Sequence, residues 1–292
     1  MLQRLSFISF ADLSSPQRQA LEWLVSDSYA LSGELSDQRL LQRFGLATAF
    51  YSFGRGEMLE HTNECEWGGD WLDVDCNDGS HVVKLVSKRI NQISGSIPPE
   101  LSVLSELILL DLDLNALTGS IPPQLSALTG LTSLDLYSNS LTGSIPPQLS
   151  SLTALTYLGL RSNFLTGTIP PELSSLTALV LLDFDWNYLT GRIPSQLSGL
   201  TSLTSLDLDR NRLTGFIPPQ LSALTSLTSL GLSLNKLSGS IPVQLSALTE
   251  LKYVDVRGNE LSGTVPSEIC EIGVLSFWVD CSEVVCTCCD GC

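Results

Sequence analysis

The sequence predicts an α/β repeat solenoid, in which short strands from successive coils stack into a parallel sheet. An asparagine recurs every 24 residues, at Asn91, Asn115, Asn139, Asn163, Asn187, Asn211, Asn235 and Asn259. A glycine follows each asparagine by four positions, and a proline follows it by seven. Leucines alternate with polar residues before most of the asparagines. A unit of this length cannot bury its own leucine face, so several copies must stack and the two ends must be covered.

Each position of the repeat has a physical reason. Leucines that alternate with polar residues point to one side of a strand and leave their neighbours toward solvent. The asparagine can satisfy backbone groups where the chain turns away from the strand. A column of asparagines is therefore expected to fasten each coil to the next. Glycine permits the turn that follows, and proline stiffens the opposite side of the coil.

The segment LTGSIP (117–122) and its counterparts resemble the plant class of leucine-rich repeats. That class is found in receptor-kinase ectodomains and polygalacturonase-inhibiting proteins. The resemblance implies a right-handed leucine-rich-repeat superhelix with a parallel concave β-sheet, and a second, shorter sheet at the LTGxIP segment. We assign the eight 24-residue repeats to residues 81–272.

Residues 1–62 precede the repeats and are predicted to form a helical N-terminal capping region. Ser15 before Pro16 is typical of a helix start, and one apolar face would follow, formed by Ala20, Leu21, Leu24 and Val25. Ser36 would begin a second helix with an apolar stripe of Leu40, Phe44, Ala47 and Tyr51. We expect these helices to cover the first coil; a separate interaction domain is the alternative.

The cysteines predict a Cys-paired cap at residues 63–80 and a Cys-rich C-terminal cap at residues 273–292. Two precede the repeats and six lie at or beyond their end: Cys65, Cys76, Cys270, Cys281, Cys286, Cys288, Cys289 and Cys292. This distribution indicates disulfides formed in an oxidising compartment, with a zinc site in the closely spaced C-terminal cysteines as the alternative.

Both caps resemble those of known leucine-rich-repeat proteins. The segment CEWGG (65–69) with the later Cys76 is similar to the amino-terminal cap of the plant class, and this resemblance implies a Cys65–Cys76 bridge. The helical segments at 15–25 and 39–44, together with the Cys-rich tail, resemble leucine-rich-repeat proteins of diatoms and other algae.

Composition excludes several partners. With 15 Lys and Arg against 31 Asp and Glu, the net charge is −16, which disfavours nucleic acid and anionic lipid. No apolar run approaches the roughly 20 residues that span a bilayer, and residues 1–13 do not resemble a signal peptide. Because the cysteines indicate export, we expect a secreted or cell-surface protein whose targeting or anchoring segment is missing from this chain.

The strand residues that face solvent supply the candidate binding site. Positions four before each asparagine run from Ser87 to Asp255, and positions two before run from Arg89 to Arg257. The open side of a solenoid sheet is its usual binding face. The predicted ligand-binding residues are Asp111, Asp113, Tyr137, Tyr157, Arg161, Asp183, Asp185, Trp186, Asp207 and Asp209.

Four carboxylates are predicted to form a square on this face, about 7 Å along each strand and about 5 Å between strands. Its corners are Asp183, Asp185, Asp207 and Asp209. Such a square would attract calcium or a basic ligand, and like charges this close raise one another's pKa. The alternative is a solvated acidic face neutralised by Arg161, Arg210 and Arg212. No other metal site and no cofactor are expected.

Aromatic side chains beside the square favour an extracellular scaffold that recognises a protein, peptide or glycan. They are Tyr137, Tyr157, Phe164, Trp186 and Tyr188. Packing against neighbouring coils is the alternative for these rings. No nucleophile elbow or phosphate loop occurs, so an enzyme is not expected. Two other functions stay open: a structural cell-surface protein that forms oligomers or fibrils, and an ice-binding protein that uses the column Thr118, Thr142, Thr166, Thr190 and Thr214.

Overall fold

The computed structural model describes residues 12, 14–32, 35–59, 62–67, 69–88 and 92–290. The first asparagine of the predicted column, Asn91, lies outside the described residues, as do Arg89 and Cys292. The chain divides into two compact units, Met1–Leu141 and Thr142–Cys292, here called unit 1 and unit 2. Among the described residues, none of the helices has the length and apolar character that crossing a membrane requires.

Three helices open unit 1, and two of them begin where the sequence predicts. They are α1 (Pro16–Ser26), α2 (Ser28–Leu31) and α3 (Asp37–Ser52). The hydroxyl oxygens of Ser15 and Ser36 accept hydrogen bonds from the amides of Arg18 and Arg39, respectively, which caps α1 and α3. The short α2 was not predicted, and Val25 was wrongly placed on the buried face of α1, because it is 62% exposed.

The helices pack against the first coil of the repeats. The Gln42 side chain accepts a hydrogen bond from the amide of Val82 (2.8 Å) and donates one to the carbonyl of Ser80 (3.0 Å). At Gly45, a Cβ atom would lie only 2.8 Å from the carbonyl oxygen of Glu100. This close approach supports a capping role for the helices over a separate domain.

Unit 1 contains a main sheet in the order β1-β2-β4-β6 and a small sheet formed by β3 and β5. Its strands are β1 (Leu72–Cys76), β2 (Val82–Ser87), β3 (Ser94–Ser96), β4 (Leu109–Asp111), β5 (Ala116–Thr118) and β6 (Ser133–Asp135). Strand β1 is antiparallel to β2, and the later pairs are parallel. Leu85 pairs with Leu110, so the first coil is one residue longer than 24 (110 − 85 = 25). Val86, and not the predicted Ser87, therefore lies opposite Asp111.

Unit 2 contains a parallel sheet in the order β7-β8-β9-β11-β13-β16, with β10-β12-β14 and β15-β17 as smaller sheets. Its strands are β7 (Tyr157–Gly159), β8 (Leu181–Asp183), β9 (Ser205–Asp207), β10 (Thr214–Gly215), β11 (Ser229–Gly231), β12 (Lys236–Gly239), β13 (Tyr253–Asp255), β14 (Glu260–Leu261), β15 (Gly263–Thr264), β16 (Ser276–Trp278) and β17 (Val284–Val285). The smaller sheets include the second sheet that the LTGxIP resemblance implied.

Short helical turns form the side of each coil opposite the strands. The 3₁₀ turns of the two units are Gly56–Met58, Glu64–Glu66, Pro99–Val103, Pro123–Ala127, Pro147–Ser151, Pro171–Ser175, Ser195–Gly199, Pro219–Ala223 and Val243–Ala247. A short helix, α4 (Ser267–Glu271), lies between β15 and β16. The 3₁₀ turns in the repeats begin directly after the repeat proline, and most of them begin with a second proline, whose fixed φ suits the first position of a helix.

The asparagine column fastens the coils as predicted. In Asn211, Oδ1 accepts the amide of Leu189 (3.0 Å), and Nδ2 donates to the carbonyl of Phe184 (2.9 Å), both in the preceding coil. Nδ2 also approaches the carbonyls of Leu208 and Asp209 in its own coil. Asn187 and Asn235 make the equivalent bonds. Each amide thus satisfies backbone groups that would otherwise be buried without partners.

Disulfides close both ends of the chain. Cys65 bonds to Cys76, as the resemblance implied, and the C-terminal cap contains Cys270–Cys288 and Cys286–Cys289. Cys281 is also disulfide-bonded. The zinc alternative is therefore wrong for the cysteines that the structure describes.

Candidate functional site

The strand face of unit 2 is the exposed side of its main sheet. It is formed by Tyr157, Arg161, Asp183, Asp185, Asp207 and Asp209. In β8 and β9 the central leucine is buried while the residues on either side are partly exposed. Asp183 lies beside Asp207 in the register of these two strands. The carboxylate of each accepts the amide two residues later, which holds it against its own turn (3.0 and 3.1 Å).

Asp185 was predicted to face solvent, and this prediction is wrong. It is only 2% exposed, and its Oδ2 lies 3.3 Å from Nε of Arg161 and 3.5 Å from Nη1 of Arg210. Two arginines therefore compensate one buried charge, which matches the predicted neutralisation for these two residues. Arg212 does not join them, because it lies over an aromatic ring instead.

Asp209 leans toward the following coil. Its Oδ1 accepts the amide of Ser233 at 2.5 Å. This is possible because Gly231 leaves the intervening position empty: a Cβ there would lie 2.8 Å from Asp207 and 3.0 Å from Asp209. The four carboxylates of the predicted square thus have separate environments, because Asp185 is buried among cations and Asp209 lies beside another carboxylate.

Burial raises the pKa values of all four groups. Burial raises the pKa of Asp209 to about 7, and the charge of Asp207 adds to the effect. Burial likewise raises the pKa of Asp183 to about 6, with Asp207 again adding to it. The pKa values of Asp185 and Asp207 are also raised, chiefly by burial, although Arg161 and Arg210 oppose the shift. Part of the acidic charge is therefore absent near neutral pH.

Two stacks of side chains border the strand face where the coils turn away from the sheet. In the first, Phe164 and Tyr188 are stacked with ring centres 6.0 Å apart, and the guanidinium of Arg212 lies 4.5 Å from the Tyr188 ring. In the second, the guanidinium of Arg210 lies 5.3 Å from the Trp186 ring. Each stack follows the 24-residue spacing, so the next coil supplies its cation.

A slot of about 240 Å³ lies between the two stacks and is here called the aromatic slot. It is lined by Ser162, Asn163, Phe164, Trp186 and Tyr188. Trp186 is 59% exposed and has a backbone φ of 56°, in the left-handed region. Ser162 occupies the same position one coil earlier. We infer that its small side chain leaves one face of the indole uncovered.

Two predicted site residues of unit 1, Asp111 and Asp113, form a separate acidic group with Asp135, which was not among the predicted site residues. The carboxylates of Asp111, Asp113 and Asp135 offer oxygens within 4.8 Å of one another. Burial and the two neighbouring charges raise the pKa of Asp113 to about 6. Among the described residues, the oxygens of this trio lie close enough together to share one metal ion, and those of the predicted calcium square do not. The backbone amide of Tyr137 donates a hydrogen bond to the Asp135 carboxylate (3.0 Å). Calcium binding at the predicted square stays a prediction.

Sequence reasoning missed two features of this region. It treated Arg210 and Arg212 as counter-ions only, although both support aromatic rings. It also gave no role to Ser162, whose small size opens the aromatic slot. Columns at 24-residue spacing would have revealed both stacks, because Phe164, Tyr188 and Arg212 share one position of the repeat.

Comparison with known proteins agrees with this architecture. Leucine rich repeat family models match residues 153–213, 201–261 and 130–152. The structure of PEPR1–AtPEP1 is 30% identical and has a TM-score of 0.69, over 92% of this chain and 34% of that chain. The Arabidopsis receptor kinase HAESA, in complex with the peptide hormone IDA and the co-receptor SERK1, is 31% identical with a TM-score of 0.67, over 86% and 46%.

A crystal structure of a plant ice-binding protein is 27% identical and has a TM-score of 0.61, over 85% of each chain. The chain spans between a third and a half of the two receptor chains. No curated protein matches the sequence significantly.

The chain is a leucine-rich-repeat protein, and its repeats are of the plant type present in receptor-kinase ectodomains. The resemblance of its caps to algal proteins stays a prediction.

Proposed function

We propose that this chain is an extracellular recognition module that binds a peptide or a protein loop on the strand face of unit 2. The observation that carries the proposal is the combination, on one face, of partly buried carboxylates with an exposed, supported aromatic slot. Interfaces take much of their binding energy from a few such aromatic and charged groups.

The comparisons support the same class of ligand. The PEPR1–AtPEP1 structure and the structure of HAESA in complex with the peptide hormone IDA share this fold. Disulfides at both ends support export into an oxidising compartment. A glycan remains the alternative ligand for an aromatic surface.

Selection from a random-peptide phage library tests the proposal. We expect wild-type protein to enrich specific peptides, and a triple variant to lose them: Asp183→Asn, Asp209→Asn and Trp186→Gly. Asp185 is left unchanged, because its removal would leave Arg161 and Arg210 without their ion-pair partner.

The matched control removes two carboxylates and one ring elsewhere in unit 2: Glu172→Gln, Glu250→Gln and Phe216→Ala, all exposed. It should retain the enrichment. Failure to enrich any peptide, or equal enrichment by both variants, would refute the proposal.

Ice binding is the second candidate, favoured by the length-matched similarity to the plant ice-binding protein. Thr166, Thr190 and Thr214 are exposed at one position of successive coils in unit 2. Against this reading, each hydroxyl donates to a glycine carbonyl of the preceding coil, at 3.2 or 3.3 Å. Two residues after Thr190 and Thr214, where earlier coils have a serine or threonine, stand Arg192 and Phe216, which interrupt the row of small hydroxyl side chains.

A thermal-hysteresis measurement decides this candidate. An ice-binding column requires a gap between melting and freezing temperatures that Thr190→Lys abolishes. Thr201→Lys, at an exposed threonine outside this column, serves as the control and should leave the gap unchanged. If wild-type protein shows no gap, the candidate is excluded.

The structural alternative, growth of a fibril end to end, is opposed at the C-terminal end. The amide of Phe277 in β16 donates to Oδ2 of Asp290, and its carbonyl accepts the amide of Asp290, both at 2.9 Å. The disulfide-linked tail therefore occupies the edge where another strand would add. Lateral association is not affected by this contact.

A further inference from the structure

We propose that the aromatic slot receives one aromatic side chain of a peptide segment, and that a basic residue close to it in the same segment contacts the carboxylates of the strand face. This inference rests on the proposed function and names the class of peptide recognised. The peptide would bind in one orientation, with its aromatic ring where the coils turn away from the sheet and its basic residue over the strands.

The walls of the slot are held in place before any ligand arrives. The Arg210 guanidinium lies 5.3 Å from the Trp186 ring, and the Arg212 guanidinium lies 4.5 Å from the Tyr188 ring. Cations over ring faces are attractive and restrict the rotation of exposed aromatic side chains. A ligand that enters between fixed rings loses less binding free energy to the ordering of side chains.

The size of the slot favours a single side chain as the occupant. Its volume of about 240 Å³ lies below the roughly 300–1,000 Å³ typical of sites for free small molecules. The slot also opens to solvent beside exposed Phe164 and Trp186, so the remainder of a larger ligand can continue across the surface. A buried aromatic anchor in a pocket with weaker contacts around it is the usual arrangement of a peptide hot spot.

The charges beside the slot select the flanking residue. Four carboxylates lie on the adjacent strands, and Asp185 engages both Arg161 and Arg210. Asp183, Asp207 and Asp209 form no ion pair among the described residues, so they attract a cation when they are ionised, which for Asp209 is favoured above about pH 7. Arg212 at the outer edge would repel a cation. A ligand lysine or arginine is therefore favoured toward the strands, and an acidic residue there is disfavoured.

Titration of ¹⁵N-labelled protein with three blocked peptides tests this inference. The peptides are acetyl-Phe-Gly-Lys-Lys-amide, acetyl-Ala-Gly-Lys-Lys-amide and acetyl-Phe-Gly-Glu-Glu-amide, and binding is followed by the Trp186 indole NMR signal. We expect the first peptide to bind about tenfold more tightly than either of the others, since one good anchor is worth at least this factor. Equal binding of the Phe and Ala peptides, or of the Lys and Glu peptides, would overturn the inference.

Variants separate the two contacts. Trp186→Gly should lower affinity for the first peptide about tenfold, followed by calorimetry, and glycine tolerates the φ of 56° so the fold should persist. Tyr188→Ser is a second variant of the same slot and should weaken binding in the same direction. Phe216→Ala removes an equally exposed ring (62%) outside the slot and should change nothing. Asp209→Asn should reduce the preference for lysine over glutamate while keeping the preference for phenylalanine over alanine.

The library selection distinguishes this inference from the proposed function. Peptides that depend on the strand face but lack an aromatic residue near a basic one would leave the proposed function standing and refute the inference. Enriched peptides that carry this pair would support both.

Discussion

Replacing Arg43 by methionine should lower the free energy of unfolding by about 3–5 kcal/mol, the range found when one partner of a buried ion pair is removed. Arg43 is fully buried in α3. Its Nε and Nη2 donate to Asp27 (2.9 and 2.5 Å), and its Nη1 donates to Glu64 and to the carbonyl of Thr62, both at 2.7 Å. The Trp67 ring lies 4.7 Å from the guanidinium. Methionine fills a similar volume, but it removes the positive charge that compensates the buried carboxylates of Asp27 and Glu64.

Urea unfolding followed by tryptophan fluorescence measures this effect, with amide hydrogen exchange in α3 to show where stability is lost. Arg18→Met is the matched control, because Arg18 forms an exposed pair with Glu22 on the surface of α1. Its expected effect is below about 1 kcal/mol. A loss at Arg43 no larger than the loss at Arg18 would contradict the interpretation that this network joins the helices to the disulfide-closed cap.

Raising the pH from 4 to 7 should destabilise the protein through the strand-face carboxylates, and Asp209→Asn should remove part of this dependence. The pKa of Asp209 is raised from 3.8 to about 7 in the folded chain. Between these values the unfolded chain has lost the proton that the folded chain retains. Stability is therefore highest below the unfolded pKa, falls as the pH rises, and levels off above about 7, with a slope of at most about 1.4 kcal/mol per pH unit for one group.

Thermal or urea unfolding at several pH values checks this prediction. The asparagine oxygen can still accept the amide of Ser233, so Asp209→Asn removes the charge and keeps the hydrogen bond. At pH 8 this variant should be more stable than wild type by about 1–2 kcal/mol, allowing for partial exposure of the side chain, and the difference should vanish near pH 4. Glu172→Gln is the control for loss of an exposed carboxylate. Parallel pH curves for Asp209→Asn and wild type would contradict the assigned environment.

The repeat itself was predictable from the sequence, because each coil packs against coils of nearly the same sequence and so has nearly the same surroundings. One period therefore predicts the strands, the buried leucines and the hydrogen bonds of Asn187, Asn211 and Asn235 together. The helix starts at Ser15 and Ser36 were predictable for a local reason, since a cap is formed within four residues. The prediction was wrong at the first coil, where one added residue shifts the register and the period no longer applies.

The sequence by itself therefore determined the solenoid, its caps and the face on which polar and aromatic residues gather. The tertiary structure alone decided how those residues differ. Asp185 and Asp209 occupy the same repeat position, yet Asp185 is buried beneath Arg161 and Arg210 while Asp209 leans across Gly231. Side chains on a stacked sheet take their environment from the coils on either side. Burial, pKa and the aromatic slot consequently follow from contacts between repeats, which the periodic pattern does not encode.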